Sequence, residues 1–114
     1  MKRFEVWLAN LNPQRGAEEN KVRPVLIVQS NLLNDVEHPS TIICPITTNV
    51  RMDLKVLRVN LDQGEGGLDK PSAILMDQIR AIDNKRLIAR KGKIGKTVED
   101  KVKYSLNVVL DLNW

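Results

Sequence analysis

The chain has 114 residues and a mass of 12.9 kDa, the length of one domain spanning residues 1–114. Its apolar fraction of 42% and charged fraction of 28% are ordinary globular values, which exclude disorder, collagen and an extended coiled coil. A net charge of +4 admits an anionic partner, and the single Cys44 excludes both an intrachain disulfide and a thiolate metal site.

In chain order, Phe4 to Ala9 alternates Phe4, Val6 and Leu8 against Glu5 and Trp7, the pattern of a first strand. Arg23 to Ser30 reads as a second strand, with Pro24 placed at its start or on an edge because proline lacks a ladder donor. Thr41 to Thr48, Leu54 to Leu61 and Ala73 to Ile82 give a third, fourth and fifth, and Leu87 to Ile94 a short last one. Loops are expected at 12–22, around 34–39 and at 62–71. The last of these holds Gly64, Gly66 and Gly67 and is expected to be mobile.

From Thr97 the period becomes helical, with Val98, Val102, Ser105, Leu106, Val109 and Leu112 on one face. Thr97 is the expected N-cap, followed by Glu99 and Asp100 near the positive helix end. Many short strands and one terminal helix predict a mainly β fold, a small, strongly bent antiparallel barrel. Apolar runs such as Val25 to Val28 are strand length, against the ~20 residues of a membrane helix. Glu5 and Asn10 interrupt any leader core, so a cytoplasmic protein with no membrane association is expected.

Several chemistries drop out. His38 is the only histidine, which removes paired-histidine acid/base catalysis and a His-rich metal site within one chain; no metal or cofactor is expected. Cys44, between Ile43 and Pro45, reads as a core thiol. Gly95-Lys96-Thr97 imitates the end of a phosphate-binding loop, but that motif needs a glycine where Arg90 stands. Lys85, Arg86, Arg90, Lys91, Lys93 and Lys96 form a basic stretch, read either as a solvated edge or as a surface for an anion. Four aromatic residues are too few for a platform that stacks successive bases.

The remaining motifs belong together. They are Val6-Trp7-Leu8, Leu11-Asn12-Pro13, Gly16-Ala17-Glu18, Arg23-Pro24-Val25, Pro45-Ile46-Thr47 and Asp77-Gln78-Ile79-Arg80-Ala81-Ile82-Asp83. In this order and spacing the chain resembles the MazF/PemK family of toxin endoribonucleases from type II toxin–antitoxin modules. The resemblance implies an SH3-like, CcdB-like barrel, a homodimer and metal-independent, sequence-specific cleavage of single-stranded RNA. It also implies a cognate antitoxin whose acidic C-terminal segment blocks the RNA groove.

RNA cleavage without a metal uses the neighbouring 2′-hydroxyl as nucleophile, so the protein must manage two protons and the charge of a phosphorane. Arg23 sits at a loop-to-strand junction, and its planar fork suits a phosphate. A guanidinium hardly deprotonates, which favours charge stabilisation over proton abstraction. Strand parity separates Thr47, with Thr41, Ile43 and Pro45, from Thr48, which shares a face with Ile42, Cys44 and Ile46 and reads as core. The resemblance pairs Thr47 with Arg23 at the phosphate.

Glu18 matches the family's acid, as general base or as a group orienting Arg23. Asp77 matches a carboxylate proposed as base in some members, but those carry a basic residue where Leu75 stands here and a histidine where Ala17 stands. Both departures favour an Arg23/Thr47 site. Gln78 and Arg80, alternating with Ile74 and Met76 on the expected fifth strand, are candidates for RNA contacts or for a dimer interface. Two rival readings remain: a CcdB-like poison of DNA gyrase, suggested by the terminal Trp114, and an RNA-binding domain that does not cut.

Overall fold

A computed structural model describes residues 1–11, 22–50, 53 and 57–112. The strands are β1 (Glu5–Asn10), β2 (Val22–Ile27), β3 (Ser40–Thr47), β4 (Arg58–Leu61), β5 (Ser72–Leu75), β6 (Arg80–Asp83) and β7 (Leu87–Lys93). Two helices accompany them, α1 (Asn31–Asp35) and α2 (Lys96–Leu110). All ladders are antiparallel, in the order β4-β5-β3-β2-β1-β7, with β6 also paired to β3. The sheet is curled but its ladder does not close among the described residues, so the expected barrel is an open one.

Each face of the sheet carries its own core. On one, Val6, Leu26, Cys44, Ile46, Val59, Leu61 and Ile74 pack with Val98, Val102 and Leu106 of α2. On the other, Ala9, Val25, Ile27, Ile43 and Ile82 gather under Met1, Trp7, Leu11 and Leu87. Burial on both faces explains the nearly continuous apolar run of β3, where strict alternation fails.

Several expectations are corrected. The second strand ends at Ile27, and Ser30 caps α1 through its Oγ, which accepts from the Leu32 amide at 3.1 Å. The fourth strand is described only from Arg58, since 54–56 lie outside the described residues. The fifth is two strands with the single turn Met76–Gln78 between them. The register opposite β3 gives the reason. Ile46 faces Ile74, and an unbroken ladder would bring Ile43 to Asp77, yet Ile43 faces Arg80. Three residues are looped out, and they are Met76, Asp77 and Gln78.

The glycine segment is docked rather than loose. Gly66 is buried, Leu68 joins the core and residues 65–67 form a short 3-10 turn against β7. A Cβ on Gly67 would stand 2.2 Å from the Lys91 carbonyl oxygen, and one on Gly92 would stand 2.6 Å from that of Gly66. Only a glycine-on-glycine crossing permits this approach. The same turn aims Glu65 at α2, whose N-cap is Gly95 and not Thr97. The Gly95 amide donates to Glu65 Oε2 at 2.8 Å, so a distant carboxylate supplies the cap that the local sequence lacks.

Candidate active site

Arg23 is the second residue of β2, exposed, and opposite Ala9 of β1. Pro24 follows, and the β2–β3 ladder begins one residue later with Val25 facing Pro45, so the missing donor of Pro24 falls near the end of that ladder. Carried two residues further, the same register sets Arg23 opposite Thr47. Directly opposed residues on adjacent strands project to one side, with Cβ atoms about 5 Å apart. On that register the arginine and the threonine stand opposite each other just past the last pair of the ladder.

Thr47 ends β3 half-buried, and its Oγ1 accepts from the Asn49 amide at 3.1 Å. That bond leaves the hydroxyl proton available as a donor while the oxygen is held in place. Thr48 is exposed beyond the strand end, which corrects the expectation that it is core. It lines a cavity of about 210 Å³ on the other side of the sheet with Leu8, Pro24, Leu68, Asp69, Lys70, Ser72 and Lys91.

Asp77 and Gln78 are exposed on the looped-out turn, and Arg80 is the exposed first residue of β6. Arg80 thus does not share a strand face with Ile74 and Met76, which are fully buried. Its partner is Ile43, an even number of residues from Thr47, so Arg80 lies on the Arg23/Thr47 side of the sheet. Four residues of β3 separate the two positions, roughly 13 Å. Asp77 and Gln78 leave the ladder between them. Glu18 and Ala17 lie outside the described residues, as does Trp114.

The other conspicuous groups are structural. Cys44 is fully buried, and burial, with a smaller contribution from the Asp77 carboxylate, pushes its thiol up to about 12. It is no nucleophile near neutral pH. His38 is half-buried in the β3 corner, its Nδ1 lying 2.9 Å from the Ser40 carbonyl oxygen. Trp7 packs on the second core and donates its indole N–H to Glu5 at 3.0 Å. Partial burial opposes ionisation of Glu5, but donors from Trp7, the Lys2 amide and Arg90 outweigh it and hold the carboxyl below its usual value. The Arg90–Glu5 pair, at 2.8 Å, ties β7 to β1. Part of the basic stretch is thus committed to the fold, Arg90 to Glu5 and Lys96 to Asp100. Among the described residues no group of three His, Cys, Asp or Glu side chains is arranged to hold a metal ion.

Two features were not found from sequence. One is the cavity walled by Lys70 and Lys91, which the glycine crossing brings together. The other is a larger cavity, about 480 Å³, between β4 and α2, lined by Arg58, Asn60 and Tyr104 among others.

Residues 2–110 match the family described as PemK-like, MazF-like toxin of type II toxin-antitoxin system. The chain belongs to this family. A relative named Endoribonuclease EndoA, from Bacillus subtilis, is 34% identical over 112 residues, covering 98% of this chain and 96% of the relative. Endoribonuclease MazF of Staphylococcus epidermidis is also 34% identical, over 113 residues, covering 99% and 93%. Among solved structures, the Mycobacterium tuberculosis toxin MazF-mt6 superposes with a TM-score of 0.79 at 25% identity, covering 96% of this chain and 99% of that one. A mycobacterial endoribonuclease solved in complex with its cognate antitoxin matches in fold, with a TM-score of 0.81 at 20% identity over 100% of this chain and 98% of that one.

Proposed function

We propose that this chain is a cytoplasmic, homodimeric toxin that cleaves single-stranded RNA at specific sequences without a metal ion, and that an antitoxin with an acidic C-terminal segment holds it in check. The observation that carries the reading is the β2–β3 register, which, carried two residues past Val25–Pro45, sets Arg23 opposite Thr47, in a chain of this family. An arginine fork and a fixed hydroxyl at the ends of two central strands are suited to the oxygens of a single phosphate.

In this mechanism the 2′-oxygen attacks the adjacent phosphorus as its proton departs. The phosphorus–5′-oxygen bond then breaks, and the leaving oxygen takes up a proton. The products are a 2′,3′-cyclic phosphate and a 5′-hydroxyl. Arg23 stabilises the equatorial charge and donates toward the leaving oxygen, and Thr47 donates to a second oxygen. Glu18 acts as the base or orients Arg23. Arg80, exposed on the same side, and Asp77 and Gln78, exposed on the turn before it, contact the bases and backbone of the flanking strand.

The test is single-turnover cleavage of an RNA whose cut site has been mapped. Arg23→Ala should slow turnover by about 10²–10³, the scale for removing one preorganised donor from a developing anion, while RNA binding falls much less. Thr47→Val keeps shape and strand propensity but removes the hydroxyl, and should slow turnover too. Wild-type turnover in Arg23→Ala defeats the assignment. So does a larger effect from Thr48→Val than from Thr47→Val.

A further inference from the structure

The cavity between β4 and α2 lies over the edge strand β4, on the α2 side of the sheet and so across that edge from the face that bears Arg23 and Thr47. Thr47 faces Ala73, and Ala73 faces Asn60, which lines the cavity. Two interstrand spacings, about 10 Å, separate Thr47 from Asn60 on that edge strand, so a strand that leaves the pair and turns over β4 reaches the cavity.

Its lining suits such an occupant. Tyr104 is 66% exposed and, among the described residues, is the only aromatic side chain so open to solvent. Arg58 and Lys101 stand at the same cavity. Asp100, the one acidic wall residue among the described residues, is bound to Lys96 at 2.8 Å, so the unbalanced charge of the described lining is positive. Arg58 uses one donor on the Asn49 carbonyl oxygen at 3.1 Å and retains others of its five. That bond also fixes it at the base of the connection leaving Thr47. A ring that offers its face to solvent, flanked by two cations in a space of about 480 Å³, has the composition of a stacking site for one base with its phosphate.

We infer that this cavity is a subsite for a nucleotide flanking the scissile phosphate, the base stacking on Tyr104 and the backbone running past Arg58 and Lys101. The inference rests on the nuclease reading above. It adds a site on α2 that is separate from Arg23 and Thr47, and one that acts in binding rather than in chemistry.

The experiment uses the whole chain and a short RNA spanning the mapped cut site. A 2′-O-methyl group on the attacking nucleotide lets binding be read without cleavage. Tyr104→Ala should weaken binding about 5- to 150-fold, the range for one base stacked on an aromatic side chain. Tyr104→Phe, which keeps the ring, should bind like the wild type. With RNAs made abasic at one position at a time, a single flanking position should abolish the difference between Tyr104→Ala and wild type.

Unchanged affinity in Tyr104→Ala overturns the subsite. So does a loss that persists at every abasic position, or Tyr104→Phe behaving like Tyr104→Ala. Sedimentation is run alongside, and a Tyr104→Ala protein that dissociates into monomers and loses all RNAs alike assigns the cavity to subunit contact instead. A wild-type chain that cleaves no RNA refutes the nuclease reading, whereas a cleaving wild type with an indifferent Tyr104 refutes the subsite alone.

Discussion

Three glycine-to-alanine changes separate the two physical reasons for glycine around the turn at 65–67. Gly64 has φ of +94° and nothing within 4 Å of a built Cβ, so Gly64→Ala carries backbone strain alone. Gly92 has no positive φ but its Cβ would meet the Gly66 carbonyl oxygen at 2.6 Å, so Gly92→Ala carries the steric conflict alone. Gly67, with φ of +79° and a Cβ 2.2 Å from the Lys91 carbonyl oxygen, carries both. A left-handed conformation costs a non-glycine residue about 1–2 kcal/mol. Forcing backbones apart at a packed contact costs about 1–3 kcal/mol. Each alanine also restricts the unfolded chain, which offsets about 0.4–1 kcal/mol in all three variants and cancels when they are compared. Gly67→Ala should therefore lose roughly 2–4 kcal/mol, more than either single-cause variant, from a total typically of about 5–15. Urea unfolding followed by circular dichroism measures it, as a shift of order 1 M in midpoint. If Gly67→Ala unfolds no earlier than Gly64→Ala, the crossing of residues 66–67 over 91–92 is not as close as described.

Other outcomes follow from single contacts. Cys44 has a folded value of about 12 against 9.0 for the free thiol, so its contribution is intact below pH 9 and drains away as pH rises toward 12, because the unfolded chain ionises first. Unfolding midpoints should fall over that window more steeply in the wild type than in Cys44→Ala, and the native thiol should resist alkylation until the chain unfolds. Glu65→Ala removes the acceptor from the Gly95 amide and should lose about 0.5–2 kcal/mol. Glu65→Gln, which keeps an acceptor oxygen, should recover most of it in the same urea titration. Cleavage in excess EDTA should equal that in buffer and leave 5′-hydroxyl ends, read by end mapping; activity that vanishes with EDTA and returns with magnesium refutes the metal-independent mechanism.

The elements legible in the sequence are those whose pattern arises from one buried face. Val98, Val102 and Leu106 place α2 because only one side of it meets the sheet. β1 was legible from the alternation of Val6 with its neighbours. β3 is legible as a strand, and its parity sorts Cys44 and Ile46 from Ile43, but the strand ends at Thr47, so Thr48 lies past it and is exposed rather than core. The break between β5 and β6 left no signal. Met76, Asp77 and Gln78 include no glycine or proline, and the turn is dictated by how β3 pairs with two successive partners. The cap of α2 was misplaced for a similar reason, because the carboxylate that closes it is Glu65, thirty residues away. Motif order names Arg23 and Thr47 as candidates, but only the β2–β3 register, carried two residues past its last pair, sets them opposite each other. Tyr104 carries no signal in the sequence, because a lone tyrosine on a helix has no meaning until the edge strand beside it is known.

The looped-out turn also bears on how such a site stays open to change. Residues in the β3 ladder are held by partners on two strands and by cores on two faces, so their identities are fixed by packing. Asp77 and Gln78 stand outside the ladder and exposed, while Met76 of the same turn is fully buried and anchors it to the core. One buried side chain thus positions two free ones. Surface substitutions of that kind alter stability by about 0.5 kcal/mol or less, so chemistry at positions 77 and 78 is separable from folding. Arg23 has the opposite character: it is exposed but rigidly based, on a strand whose following residues Val25, Leu26 and Ile27 are fully buried. A group that must meet a developing charge without reorganising belongs on such a strand, and groups that select among bases belong on a turn whose side chains the core does not constrain.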